Sequence, residues 1–436
     1  MSAALLDIDH ELTRQSYYAA TAPQAPRHAP LQGRVDTDVA IVGAGLAGLS
    51  AALELAQRGF RVTVLEARQV GWGASGRNGG QAIHGLACDM AVIEAQLGRE
   101  SARRVWDMTI EALDLLRERC RRHAIDCDWR DGFLEVAVNA RKARDLQARA
   151  ERTATRYGYP LAWIAPAQLP QWLASPRYHS GVHDPRSGHL HPLKYTQGLA
   201  RAAAGLGVAI HEDSAVLRLD PGPQAVLHTA QGHVSARHVL LAGNVYLQGL
   251  APRLESCIMP VGTYIVCSEP LGAERAGALI PCGAAVCDNN FVLDYFRTTA
   301  DHRLLYGGRV SYSTRTPGHL AASMQRRMSD IFPPLTGTRI DFAWGGFVDI
   351  SMNRAPDFGR LGTGAAANVY YLQGFSGHGL ALTGLAGKLV AEAIAGDASR
   401  FDTFAGIRHR PFPGGKWLRT PALVLAMSYY RLRDVL

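Results

Sequence analysis

The run Val39-Ala40-Ile41-Val42-Gly43-Ala44-Gly45-Leu46-Ala47-Gly48 leaves this chain few architectures, because it reads as a buried parallel strand, a tight glycine turn and the start of a helix. Gly43 makes the turn, Gly45 lets the backbone approach a phosphate, and Gly48 lets the helix pack closely on the strand. The helix, expected from Leu46 to about Arg58, aims its positive end at that phosphate. A second strand, Arg61 to Leu65, ends in Glu66, 23 residues after Gly43, where a carboxylate is placed to accept ribose hydroxyls. The spacing predicts a dinucleotide site in a parallel α/β sheet.

The segment Gly71-Trp72-Gly73-Ala74-Ser75-Gly76-Arg77-Asn78-Gly79-Gly80-Gln81 follows directly. A nicotinamide site needs no such segment. Small residues suit a backbone passing beside a long ligand, with Ser75, Arg77 and Asn78 offering hydrogen bonds or charge to phosphate and ribityl groups. Composition alone also allows a glycine-rich surface loop; the position just after the ribose carboxylate favours the ligand.

The 436 residues suffice for two domains, and 47% hydrophobic with 19% charged residues describe an ordinary globular chain. Seven cysteines without a C-x-x-C pair fit reduced thiols in the cytoplasm better than a secreted disulfide framework, and argue against a zinc site. The first 35 residues, with Asp7, Asp9 and Glu11, read as an arm and not as a signal peptide. No stretch reaches the roughly eighteen apolar residues of a membrane span. Pro421 to Tyr430, the most apolar tail segment, leaves peripheral membrane contact open. The net charge of +8 is spread along the chain without interleaved aromatics, so nucleic acid is not expected as a partner.

Further along, Glu94 to Arg122 carries the spacing of one or two amphipathic helices, Gly132 to Val138 reads as a strand, and Arg141 to about Arg156 as another charged helix. Helix Tyr195–Ala204, strands at 208–210, 215–217 and 234–241, and a final strand at 369–372 before a helix to Ile394 return to cofactor-domain character. Strands at 263–267, 291–297 and 303–306 mark a second excursion. These readings give a 1–35 arm, a discontinuous cofactor domain of 36–90, 187–256 and 347–436, and a substrate domain of 91–186 and 257–346.

The fingerprint, the 71–81 segment, Gly188-His189-Leu190-His191-Pro192-Leu193, Leu293-Asp294-Tyr295-Phe296-Arg297, Trp344-Gly345-Gly346 and Gln373-Gly374-Phe375-Ser376-Gly377-His378-Gly379 resemble the FAD amine and amino-acid oxidase superfamily of D-amino-acid, glycine and sarcosine oxidases. The closest likeness is to the gamma-glutamylputrescine oxidase family. The resemblance implies an α/β fold with a glutathione-reductase-type Rossmann-like FAD domain beside an α+β substrate domain on a mostly antiparallel sheet. The expected FAD-binding residues are Gly43, Ala44, Gly45, Leu46, Ala47, Gly48, Glu66, Ala67, Arg68, Ala74, Ser75, Arg77, Asn78, Gly79, Gly80 and Gln81. Val216, Gly243, Gly374, Ser376, Gly377, His378, Gly379, Leu380 and Thr383 complete the set.

In the families resembled, the helix after Gly379 starts beside the flavin pyrimidine ring, where N–H groups and the helix dipole stabilise negative charge. His378 there either adds charge or a hydrogen bond, or is a structural loop histidine. Flavin amine oxidation depends on positioning more than on acid–base groups. Strand alternation puts Phe291, Leu293, Tyr295 and Arg297 on one face and Val292, Asp294 and Phe296 on the other. Tyr295 is the first pocket candidate against the alternative of a core tyrosine, with Trp344 and Tyr264 behind it. His189 and His191 alternate on an expected strand, but no third ligand is visible, so no metal is expected. Where sarcosine oxidases place a carboxylate-clamping lysine this chain has Ala381, and the arginine of glycine and D-amino-acid oxidases, falling near Arg354, is not transferred. No cysteine follows Cys287, so the tether of sarcosine oxidases is missing and non-covalent FAD is implied.

The implied reaction is oxidative deamination of a small-molecule primary amine, such as gamma-glutamylputrescine, to aldehyde, ammonia and hydrogen peroxide. A quinone in place of dioxygen, or a tRNA-modifying flavoprotein, are the alternatives. The sequence does not fix the oligomeric state.

Overall fold

A computed structural model describes residues 16–247, 249–290, 292–311, 319–362 and 367–413. The first fifteen residues of the expected arm, Phe291 and the 421–430 tail segment lie outside the described residues.

The first sheet has a parallel centre. Val369–Gln373, Gly232–Leu241, Gly33–Val42, Val62–Leu65 and Ala209–His211 pair in that order, all parallel, and Asp357–Leu361 closes one edge antiparallel. Val39, Ala40 and Ile41 are fully buried, as a strand covered on both faces requires. The helix Leu46–Gln57 leaves the Gly33–Val42 strand and packs against the closing helix Gly379–Ile394. A side chain at Gly387 would meet Ala51 N at 2.5 Å, so the close crossing of these two helices depends on that glycine.

The second sheet has nine strands in the order Ile340–Ser351, Ile258–Ser268, Leu304–Ser311, Tyr295–Thr298, Ala285–Asp288, Arg130–Ala137, Ser180–His189 and Gln81–Ala82, with Ala162–Ile164 paired to Ser180–His189. Its pairings are antiparallel except that of Ala285–Asp288 with Arg130–Ala137. The fold class is the one the sequence implied. Gln81–Ala82 joins this sheet although Gln81 closes the 71–81 cofactor segment, and Ser180–His189 and Ile340–Ser351 run through the expected borders at 187 and 347. A separate core of Leu134, Val266, Phe296, Tyr306, Met328 and Phe332 backs the second sheet.

Two helices matter for the site. Met90–Arg122 is longer than its amphipathic signal and bends at Gly98, whose φ of 77° and ψ of 167° are not helical. Ala140–Tyr157 starts on Asn139, which accepts the Lys142 N–H, and stops at Gly158 in the left-handed region.

Two expected strands differ. Residues 215–217 are irregular, and the strand there is Arg218–Asp220. The expected 291–297 strand begins only at Tyr295, because the Asp288 carboxylate takes the N–H groups of Asn290 and Asp294 and turns the chain.

Candidate active site

The cradle is built as its glycines suggest. Gly43 has a φ of 107°, and a side chain there would meet the Ala242 carbonyl oxygen at 2.8 Å. One at Gly48 would lie 2.0 Å from the Gly43 carbonyl oxygen, so the helix can sit on the turn only with glycine at that position. Gly48 and Ala44 support the cradle from behind, while Gly43, Gly45, Leu46 and Ala47 face the cavity. Glu66 accepts the N–H groups of Ala44 at 2.8 Å and Arg68 at 2.9 Å, which orients its carboxylate against the cavity wall. Burial pushes the Glu66 carboxyl up, opposed by those backbone hydrogen bonds. Arg68 contributes its backbone here and holds its guanidinium 5.9 Å from the Trp72 ring.

Within the 71–81 segment three expected ligand contacts are spent on the protein itself. Ser75 Oγ accepts the Leu46 N–H at 2.9 Å. The Asn78 amide donates to the Ala74 and Ser75 carbonyls and accepts from Gly80 N, bracing the loop. The Arg77 guanidinium donates to the Trp72 carbonyl and lies 4.4 Å from the Trp72 ring centre, a cation–π contact that holds the charge against protein. All three residues still line the cavity, as do Ala67, Ala74, Gly79, Gln81, Val216 and Gly243.

The closing turn is a left-handed run, with Gly374, Ser376 and Gly377 at φ of 74°, 54° and 84°. Asp349, at the end of the long Ile340–Ser351 strand, accepts the N–H groups of Gly374 and Phe375 and carries the turn. Burial pushes the Asp349 carboxyl up to about 6. His378 donates from Nε2 to the His84 carbonyl at 2.8 Å, and burial pushes it down to about 4, so it is neutral near pH 7. Of the roles the sequence left open for His378, the hydrogen bond is the one present, made to the His84 carbonyl. Ser376, Gly377, Gly379, Leu380 and Thr383 line the cavity, whereas Gly374 and Gly80 stand behind it and shape its turns.

These pieces surround one continuous cavity of about 1890 Å³ running from the cradle between the two sheets. Tyr295 is on its wall, with its ring seated where side chains at Gly79 and Gly307 would fall, 2.7 and 2.1 Å from ring carbons. The two weaker aromatic candidates are not there. Trp344 is buried behind the wall, donating from Nε1 to the Arg77 carbonyl at 2.9 Å, and Tyr264 is buried in the second core. The sequence assigns no strand around Trp344 and no faces to the strand of Tyr264, so it does not show which side chains meet the cavity. His189 donates to the Gly283 carbonyl, and His191 N-caps the next helix by accepting Lys194 N–H. Ala381 is buried in the closing helix, and Arg354 lines the cavity.

Three cavity residues escaped the sequence reading. His84 donates from Nδ1 to the buried Asp184 at 2.6 Å, and that carboxylate also accepts Tyr159 OH and Ser187 OH. Desolvation opposes the charge on Asp184, but the hydrogen bond from His84 and its neighbours hold the carboxyl well below the usual range. Asp288 is buried, and burial with the nearby Asp294 pushes it up to about 7. Asp349 is the third. Their partners are distant in sequence, and no local pattern marks them.

The glycine cradle, the helix ends and the room fit a dinucleotide carrying a further ring system. Thr383 Oγ1, buried on the cavity wall without a partner among the described residues, is a polar atom such a ligand would satisfy. Residues 38–393 match the family of FAD dependent oxidoreductases. The chain belongs to that family. This FAD-dependent oxidoreductase is 43% identical over 421 residues to gamma-glutamylputrescine oxidoreductase of Escherichia coli (strain K12), covering 96% of this chain and 98% of that protein. It is 38% identical to the probable oxidoreductase OrdL of Haemophilus influenzae (strain ATCC 51907 / DSM 11121 / KW20 / Rd), covering 99% of each. Glycine oxidase from Geobacillus kaustophilus shares the fold with a TM-score of 0.68 at 21% identity, over 83% of this chain and 95% of that one.

Proposed function

We propose that this oxidoreductase deaminates a primary amine carrying a gamma-glutamyl group, with gamma-glutamylputrescine as the type substrate. The balanced reaction takes amine, water and dioxygen to aldehyde, ammonia and hydrogen peroxide. The likeness to the Escherichia coli enzyme along 96% of the chain carries this reading. Bound FAD would supply the acceptor for the electron pair that leaves the amine's α-carbon.

The chain's own residues have three tasks. Gly43, Gly45 and the Leu46–Gln57 helix end would receive the pyrophosphate, Glu66 the ribose, and Thr383 with the Gly379–Ile394 helix end the ring system. Tyr295 narrows the cavity and helps exclude water from the amine. The amine arrives as an ammonium and must lose a proton, and Asp288, held near 7 on the cavity wall, is the carboxylate suited to take it. FAD is proposed to bind without a covalent link, since no cysteine lies on the strand, turn or helix of 369–394. A cytoplasmic location is proposed from seven cysteines that are all free. Among the described residues no helix is long and apolar enough to cross a membrane.

Anaerobic addition of gamma-glutamylputrescine should bleach the flavin spectrum, and aerobic turnover should yield one peroxide per amine. An unbleached spectrum would sink the reading, while bleaching without peroxide would replace dioxygen by a quinone. Acid precipitation should leave the flavin in solution.

A further inference from the structure

We propose that Arg141 and Arg152, on the helix Ala140–Tyr157, grip the carboxylate at the far end of the substrate, with Asp145 between them meeting the neighbouring ammonium. The inference rests on the gamma-glutamyl reading above and names the residues that recognise the glutamyl head.

Arg141, Asp145, Arg149, Arg152 and Arg156 follow helical spacing along one face, and all of them line the same cavity as the cradle. Two of these arginines are already paired, Arg149 with Glu135 and Arg156 with Glu94 at the side of Tyr157. Arg141, Asp145 and Arg152 are exposed and make no ion pair or hydrogen bond among the described residues. Elsewhere on the wall Asp89 accepts the Ala91 N–H, and Asp288 is the carboxylate assigned above to the reacting amine. Two cations and one anion are therefore left facing open cavity space.

That pattern matches an α-amino acid head, which carries one carboxylate and one ammonium on the same carbon. An arginine fork meets a carboxylate with two parallel hydrogen bonds, and an aspartate meets an ammonium. In extended gamma-glutamylputrescine the reacting carbon and that α-carbon lie about 10 Å apart. A substrate of that length carries its charged head well away from the reacting carbon, and the Ala140–Tyr157 helix lines the same cavity as the cradle. The helix N-terminus beneath Arg141 adds positive potential for a carboxylate there.

The test uses the full flavin-loaded chain with gamma-glutamylputrescine and with 4-aminobutyrylputrescine, which keeps the amide and ammonium and lacks only the carboxylate. The wild type should show a KM about tenfold to a hundredfold lower for the first compound. Arg152→Gln and the double variant Arg141→Gln with Arg152→Gln should raise that KM and bring the two compounds within about threefold of each other, with flavin content retained. Equal KM values in the wild type, or a double variant that keeps full discrimination, would overturn the inference while leaving the deamination reading standing. Failure of the wild type to oxidise either amide would overturn that reading itself.

Discussion

The Asp349 carboxylate accepts the Phe375 N–H at 3.1 Å and so ties the end of the longest strand of the second sheet to the turn that opens the closing helix of the first. Gly374 N donates to the same oxygen. Replacing Asp349 by Ala strands two buried donors, and each unsatisfied donor costs about 1–3 kcal/mol. Asp349→Ala should lower the urea midpoint and reduce the flavin-to-protein absorbance ratio. A variant with wild-type midpoint and flavin content would show that the turn holds itself.

Gly48→Ala should yield a folded chain poor in flavin. The added methyl would lie 2.0 Å from the Gly43 carbonyl oxygen, forcing the helix off the turn that shapes the cradle. Visible absorbance after gel filtration reads the loss directly.

Gly307→Ala should leave flavin bound and still cut kcat/KM by about tenfold or more, because small displacements of a positioning group are costly to catalysis. The new methyl would overlap the Tyr295 ring, so the ring must move from its seat on the cavity wall. Steady-state kinetics beside an unchanged flavin spectrum would separate this from a folding defect.

Acid should destabilise the fold earlier than exposed histidines alone would allow. Burial pushes His189 and His191 down to about 3 and His378 to about 4, from 6.5. A histidine kept neutral in the fold contributes stability that is full above 6.5 and is lost as pH falls through its folded value. Asp288 and Asp349, pushed up from 3.8 to about 7 and about 6, act with the opposite sign and cost stability as pH rises through that window. Thermal midpoints measured from pH 8 to pH 4 should pass through a maximum near pH 6–7; a midpoint still rising at pH 5 would contradict the histidine contribution.

If Asp288 takes the ammonium proton, kcat/KM should rise with pH through about 7. Asp288→Asn should remove that limb and lower the plateau by about a hundredfold, within the range for a lost general base. An unchanged pH profile would assign the proton to another group.

The sequence reached some parts of the site and missed others for a consistent reason. Gly43, Gly48 and Glu66 were legible because turn, helix start and carboxylate are neighbours in one strand-turn-helix unit, and backbone sterics demand glycine there. Tyr295 was legible through alternation, although its strand proved shorter than expected. Trp344 and Tyr264, put forward beside it as pocket aromatics, turned out to be behind the wall. Arg77 and Asn78 carry ligand chemistry in their side chains, but nearby carbonyls and the Trp72 ring claimed it first.

The order of residues by itself determined the cradle, the parallel sheet around it and the family, since each depends on patterns of ten to thirty neighbouring positions. Only the tertiary structure decided that His84 meets Asp184, that Asp349 meets Phe375 and that the Ala140–Tyr157 helix turns its unpaired arginines into the cavity. Those contacts join residues far apart in the chain, and sequence periodicity gives the faces of an element but not the neighbour that each face will meet.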